Sequence, residues 1–231
     1  TLSDINAGSL STGTSGAVTS TYNAGTGVWT ASGLISSVNS LLASLNFVPA
    51  ANYNSNFTIA TSVTDGVGTV SGSKAMTGTP VNDAPTATNL SAAETYTEDT
   101  ALNLIDIVVS DIDSASVTVT LTLSNVAAGS LNTGTSGAVT STFNAGTGVW
   151  SASGAIANVN TLLAGLTFTP AANFNSNFTI ATSVSDGVAA AITGSKAMTG
   201  TPVNDAPTAT NLTVADIYGL NTAHNLIDIV V

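Results

Sequence analysis

Carboxylates crowd into one short part of a chain that is otherwise poor in charge. Seven of the 13 acidic residues lie between positions 83 and 113: Asp83, Glu94, Glu98, Asp99, Asp106, Asp111 and Asp113. The chain has no arginine, and its two lysines, Lys74 and Lys196, lie outside that stretch of sequence, so no counter-ion is expected from a neighbouring lysine or arginine. Ca²⁺ binds six to eight oxygens from carboxylates, Asn side chains and backbone carbonyls. The cluster therefore indicates a calcium site.

The spacing of Asp111 and Asp113 supports this interpretation. In an extended chain, residues two apart point to the same side, about 6–7 Å from each other. Both carboxylates can then face one ion. Other acids have simpler explanations: Glu94 is expected on the surface, and Asp106, like Asp228 in the same "LIDIVV" sequence, is expected to face solvent on an edge strand.

The elements that must position these acids come from an internal repeat. Residues 1–67 match residues 122–188 at an offset of 121, with 52 of 67 positions identical. After one inserted residue, 72–90 match 194–212 without a change. A repeat of about 120 residues is the size of a whole domain, longer than a solenoid unit of about 20–50 residues. The chain is therefore expected to be a tandem array of domains.

The phrase "VNDAP", which occurs twice, is the expected linker, because a proline after polar residues ends one domain and stiffens the entry to the next. Four parts follow from it. Residues 1–81 form a repeat that lacks its N-terminal strand, and 82–85 are a linker. Residues 86–203 form a complete repeat, and 204–231 begin a further one.

Within a repeat, short strands alternate with turns. Residues 116–125 and 177–187 alternate apolar and polar side chains, and 136–154 form a hairpin that turns at 144–148. Val159, Leu162, Leu163 and Leu166 have helical spacing, so a short helix is expected before a strand. Seven or so short strands in such a repeat predict an all-β fold of tandem β-sandwiches, each with one short helix.

Composition excludes several functions. The net charge is −11, which disfavours nucleic acid and anionic lipid, since both are bound mainly through Lys and Arg. The apolar runs are far shorter than the roughly 20 residues of a membrane helix, so no membrane insertion is expected. The chain has no cysteine and a single histidine, His224, whose repeat equivalent is Leu102. No catalytic triad or zinc site recurs in both copies, and we therefore expect that the protein is not an enzyme.

The motifs resemble those of a known family. "VNDAP", "EDT", "SDID", the "GVW…SG…VNSLLASLNFVPAANYN" run and the "VTDG" strand end are similar to the cadherin-like, Ig-like tandem repeats of giant bacterial surface adhesins. The resemblance covers essentially the whole chain. It implies calcium at the domain junction, held by the linker Asn-Asp, an early Glu and an Asp-x-Asp.

Carried over, the resemblance assigns the first junction to Asp65, Asn82, Asp83, Glu98, Asp111 and Asp113. At the second junction it assigns Asp186, Asn204 and Asp205, but Leu220 replaces the Glu and the Asp-x-Asp is absent, so that site is incomplete. The alternative for Asp65 and Asp186 is that each is simply the first residue of an Asp-Gly turn.

The expected function is that of a non-catalytic structural repeat at the bacterial cell surface, in rods that Ca²⁺ stiffens. Its partners would be other copies, head to tail. The alternative is a module that binds glycans or another surface, with Trp29 and Trp150 stacking on sugars instead of packing in the core.

The two edges of the chain suggest how copies could join. Residues 204–231 could supply the strand that 1–81 lack in the next subunit, which would build a filament by donor-strand exchange. The alternative is that the chain is an excerpt of a longer array.

Overall fold

The computed structural model describes every residue from Thr1 to Val231. The chain forms two compact units, Thr1–Asn82 and Asp83–Val231. Regular structure consists mainly of short β-strands, with one α-helix in each unit, so the predicted all-β class is confirmed. None of the helices has both the length and the apolar character needed to cross a membrane.

The first unit contains four separate antiparallel strand pairs: β1 with β6, β2 with β3, β4 with β5, and β7 with β8. A 3₁₀ turn at Ile5–Ala7 precedes them. In chain order the elements are β1 (Gly8–Leu10), β2 (Thr14–Ser15), β3 (Val18–Thr19), β4 (Thr21–Asn23), β5 (Val28–Thr30), α1 (Ile35–Ala43), β6 (Phe47–Pro49), β7 (Phe57–Thr64) and β8 (Thr69–Met76).

The second unit has more strands and larger sheets. Its elements are β9 (Thr86–Ala87), β10 (Glu94–Thr97), β11 (Leu102–Asn103), β12 (Val109–Ser110), β13 (Ser116–Leu123), a 3₁₀ turn (Val126–Ala128), β14 (Gly129–Leu131), β15 (Thr135–Ser136), β16 (Val139–Thr140), β17 (Thr142–Asn144), β18 (Val149–Ala155), α2 (Ile156–Ala164), β19 (Thr167–Pro170), β20 (Phe178–Ser185) and β21 (Ile192–Thr201). One sheet has the order β10-β21-β20-β13-β18-β17 and another the order β11-β19-β14, while β12-β9 and β15-β16 are ribbons.

The strand β13 holds the large sheet together. Its residue Val119 lies opposite Ala152 of β18 on one side and Val184 of β20 on the other. Elements β1–β8 and α1 of the first unit recur as β14–β21 and α2, but strands equivalent to β9–β13 are missing there. The ribbons β4-β5 and β7-β8 therefore stay separate, and only the bridge between Leu2 and Ile59 marks where β13 would run.

The predicted helix and hairpin of the second unit are confirmed. Helix α2 buries Val159 and Leu163, four residues apart, on one face. The amide of Asn160 on the same helix accepts from the Val109 N–H and donates to the Val109 carbonyl, at 2.9 Å each. The helix thus holds the segment that precedes β13 as well as lining the core.

One continuous core fills the second unit and includes Trp150, Phe168 and Leu163. The N-terminal segment of this unit adds four side chains that are 1–3% exposed: Tyr96, Leu104, Ile107 and Val109. In the first unit, which lacks that segment, the buried cluster contains Leu2, Ala7, Leu10 and Phe57.

Nearly identical strands therefore have very different burial. The sequence "FTIATSV" forms both β7 and β20. Val184 on β20 is 0% exposed, whereas the equivalent Val63 on β7 is 67% exposed. The alternating pattern fixes which side chains share a face, but burial needs a second layer over that face.

This difference predicts unequal costs for one substitution. Val184→Ala removes two buried methyl groups and should lower the free energy of unfolding of the second unit by about 2 kcal/mol. Val63→Ala is the matched control and should leave the free energy of unfolding of the first unit unchanged, because Val63 is exposed. Hydrogen exchange followed by mass spectrometry resolves the two units. Equal effects at both positions would show that Val63 is covered.

Candidate cation sites at the two ends of the second unit

The carboxylates of Asp111 and Asp113 meet the linker at the N-terminal end of the second unit. Oδ1 of Asp111 accepts from the backbone N–H groups of Asp113 at 2.9 Å and Ser114 at 2.7 Å, so this stretch forms an Asx turn. Oδ2 of Asp113 accepts from the Asp83 N–H at 2.8 Å. The sequence predicted an extended "SDID" segment, and that was wrong. The turn brings three of the predicted residues together by another route.

One oxygen of this cluster has no partner. Asp111 Oδ2 is buried from solvent and makes no hydrogen bond. Leaving a buried charged acceptor unsatisfied is costly, and such orphans are rare in folded proteins. A cation supplies the missing interaction directly.

No lysine or arginine of the second unit is free to supply it. Lys196 is the only lysine there, and it is 0% exposed. Its Nζ lies 2.8 Å from Glu94 Oε1 and 3.0 Å from the Ile105 carbonyl oxygen. It therefore belongs to a different cluster.

Glu98, predicted to join Asp111 and Asp113, lies at the opposite end of the unit. Its N–H donates to the Thr201 carbonyl at 3.1 Å, and its Oε1 accepts from the Val203 N–H. Oε2 accepts from the Asn175 side chain at 2.8 Å. The β20–β21 turn lies at the same end of the unit as the start of β13. The ten residues of β21, Ile192–Thr201, therefore separate the two ends by about 30 Å.

Glu98 is therefore wrongly grouped with the first linker, and the structure places it beside the second. The residue whose N–H it binds, Val203, directly precedes Asn204 and Asp205, which are both exposed. Asn204 Nδ2 donates to the Asp205 carbonyl at 3.2 Å. An early Glu thus belongs to the end of its own domain, because β10 runs parallel to β21 and the two strands finish together.

Asp186 and Asp65 are turn residues. Oδ1 of Asp186 accepts from the N–H groups of Val188 and Ala189, at 2.9 and 3.0 Å. The turn lies at the start of β21, whereas Asn204 follows its end, so Asp186 was wrongly assigned to the second linker. It shares the end of the unit that carries Asp111.

Asp65 forms the same turn in the first unit. The Gly68 and Val67 N–H groups hold the pKa of its carboxyl below the ordinary value. Strand β8 separates it from Asn82, so its assignment to that linker was also wrong.

Glu94 was expected on the surface, but it is 8% exposed and forms the buried ion pair with Lys196. Its other oxygen accepts from the Ile105 N–H at 3.0 Å. One signal in the sequence indicated that Glu94 could be buried. Lys196 and Met198 are two residues apart on β21 and therefore lie on the same face of that strand. A lysine on an inward face needs a carboxylate partner.

Trp150 packs in the core, which is one of the two roles that the sequence left open for it. It is 0% exposed and its Nε1–H donates to the Asn132 carbonyl at 3.0 Å. Trp29 makes the equivalent bond to the Ser11 carbonyl and is half-buried. The fully buried Trp150 ring is therefore not available to stack on a sugar.

His, Cys, Asp and Glu side chains form no group of three that could hold a metal by themselves. A cation at the N-terminal end would therefore draw on Asp111 and Asp113 together with backbone carbonyls or amide oxygens, which Ca²⁺ accepts readily. The donor set contains only oxygen and fits a hard cation, not zinc.

No protein family matches the chain, and no curated protein matches it in sequence. Among solved structures, an endo-fucoidan hydrolase of glycoside hydrolase family 107 is similar at 18% identity, with a TM-score of 0.24. The match covers 88% of this chain and 25% of the hydrolase. The chain thus spans about a quarter of that enzyme, and agreement this low carries no argument about fold or function.

Proposed function

We propose that the chain is a non-catalytic structural repeat of an extracellular bacterial surface protein, in which Ca²⁺ stiffens rows of β-sandwich-like units. The observation that carries the proposal is the buried, unpartnered Oδ2 of Asp111 beside Asp113 and the linker residue Asp83. Tandem, nearly identical units and a chain with few charged residues support the structural role.

The mechanism is electrostatic. Asp111 and Asp113 are held close by their turn, and without a cation their like charges repel. With Ca²⁺ bound, Asp111 Oδ2 gains a partner, and Asp113 holds both the ion and the Asp83 N–H. The start of the second unit and the linker that enters it then move as one body. Asn82, the predicted linker ligand, directly precedes Asp83.

Calcium binding tests the proposal. We expect the 231-residue chain to bind Ca²⁺ in calorimetric titration, and Asp111→Asn to weaken binding at least about tenfold, because it removes a charged ligand. Asp106→Asn is the matched control, since Asp106 is an exposed acid five residues away. Equal affinity of the wild type and Asp111→Asn would exclude Asp111 as a ligand.

Stiffening has its own measurement. Small-angle scattering is recorded with Ca²⁺ and then with excess chelator. In the presence of the ion, the chain should have a larger maximum dimension and a narrower range of conformations. Identical profiles would contradict the mechanical role even if the ion binds.

A further inference from the structure

Two strands of the second unit, one near its start and one at its end, lie side by side and run in the same direction. Strand β10 pairs in parallel with β21, the last strand, so that Glu94 lies opposite Met198 and Thr97 opposite Thr201. The other strand pairs of the chain are antiparallel. Strand β10 is an edge strand, and β21 is its only neighbour in the sheet. We call β10 and β21 the terminal strand pair.

The chain enters and leaves this unit at opposite ends. The Asp83 N–H binds Asp113 at the end where β13 begins, whereas β21 finishes at Thr201, about 30 Å away. Both β10 and β21 run from the entry end towards the exit end. Tension on the chain therefore draws β10 towards the entry end and β21 towards the exit end, so that the two strands are pulled past each other.

This direction of pull decides how the bonds between the strands are loaded. The hydrogen bonds of a parallel pair are evenly spaced along it. When the strands are pulled past each other, these bonds are stretched together and share the force. When strands are peeled apart from one end, the same bonds break one after another. The order of strands in this unit gives the first arrangement.

Further bonds reinforce the exit end of the terminal strand pair. Thr201 Oγ1 donates to the Tyr96 carbonyl at 2.8 Å. The Glu98 N–H donates to the Thr201 carbonyl at 3.1 Å, and the Val203 N–H donates to the Glu98 carboxylate. Movement of β21 towards the exit end carries Thr201 and Val203 away from these partners. All three bonds therefore oppose the sliding.

The buried ion pair joins the same two strands. Lys196 Nζ lies 2.8 Å from Glu94 Oε1, and the two side chains are 0% and 4% exposed. Water replaces an exposed bond as soon as that bond breaks, but it does not reach this pair. Separation of the strands must therefore pass through a state in which two buried charges have lost their partners, which is costly.

Strand β10 is also anchored in the core, although it lies at an edge of the sheet. Tyr96 is 1% exposed, and its ring centroid lies 5.3 Å from that of Phe168 and 5.8 Å from that of Phe178. Its hydroxyl donates to the Ser176 carbonyl at 2.7 Å. Strand β10 cannot leave the sheet without taking this ring out of the core.

We propose that the second unit resists tension along the chain, and that the terminal strand pair is the part that bears it. This inference rests on the proposed structural function, because the units of a surface rod are pulled at both ends. It adds a mechanical property that needs no ion. This property differs from the free energy of unfolding, since forced unfolding depends on the unfolding rate.

Two directions of pull on the full chain test the inference, and the absence of cysteine allows the points of attachment to be chosen. Ala84→Cys with Val203→Cys attaches the handles at the entry and exit ends, so the force runs along the second unit alone. Thr100→Cys with Val203→Cys attaches both handles at the exit end, so the same strand pair is peeled apart. All three positions are exposed.

Optical tweezers at constant force, with excess chelator throughout, measure the lifetime of the folded unit. Opening in the end-to-end direction releases about 400 Å of chain, which identifies the event. At equal force, the end-to-end lifetime should be at least about tenfold longer than the lifetime under peeling. An end-to-end lifetime equal to or shorter than the peeling lifetime overturns the inference. Neither result affects the calcium proposal, which depends on Asp111.

A substitution assigns the resistance to the terminal strand pair. Thr201→Val removes the hydroxyl that binds the Tyr96 carbonyl, and should shorten the end-to-end lifetime by about threefold or more. Thr199→Val is the matched control, since Thr199 is exposed on the same strand, and it should leave the lifetime unchanged. If Thr201→Val has no effect, or if both variants shorten the lifetime equally, the assignment to this strand pair is wrong.

Discussion

Lys196→Met should lower the free energy of unfolding of the second unit by about 3–5 kcal/mol, because it leaves the Glu94 carboxylate buried without its cation. Lys196 is 0% exposed and ties β21 to both Glu94 and the Ile105 carbonyl. Denaturant unfolding monitored by hydrogen exchange in the second unit measures the loss. The exposed Lys74→Met, in the same "GSKAM" sequence, is the matched control and should have no effect on stability.

A double variant separates the charge from the packing. Glu94→Gln combined with Lys196→Met keeps an acceptor for the Ile105 N–H and removes both charges. It should recover most of the stability that the single variant loses, since replacing a whole buried ion pair is often nearly neutral. If the double variant is as unstable as Lys196→Met, the lysine acts through packing and not through its charge.

Trp150→Ala should cost the second unit about 3–5 kcal/mol as well, through the cavity it leaves at the centre of the core. It also leaves the Asn132 carbonyl without its donor. Trp29→Ala is the internal comparison, because Trp29 makes the same hydrogen bond but is only half-buried. Its cost should be clearly smaller.

Circular dichroism in denaturant gives the total loss, and exchange rates in β20 and β7 assign it to a unit. Equal losses for the two tryptophan variants would mean that the small cluster of the first unit is as tightly packed as the large core. A negligible effect of Trp150→Ala would contradict the core position of this side chain.

The all-β class, the helix and the hairpins could be predicted because they depend on local patterns. Helix α2 follows from the spacing of Val159 and Leu163, and the turn after β20 follows from Asp186-Gly187. Burial could not be predicted in the same way: β7 and β20 share a sequence, yet what covers Val184 comes from a distant segment.

The candidate cation cluster shows the same limit. Neighbours in sequence, Asp111 and Asp113, do lie together. Glu98 does not, because the parallel pairing of β10 with β21 carries it the length of the unit, and no local pattern reveals that register. The prediction that Glu94 lies on the surface was wrong for a related reason, because its partner Lys196 is 102 residues away in the sequence.

The burial of Lys196 makes the chain unusually simple to label. An amine-directed dye or crosslinker reaches the exposed side chain of Lys74, while the second unit offers it no accessible lysine until that unit opens. The rate at which Lys196 is modified therefore reports the rate at which the second unit opens. A dye on Lys74 reports on the first unit in the same tube.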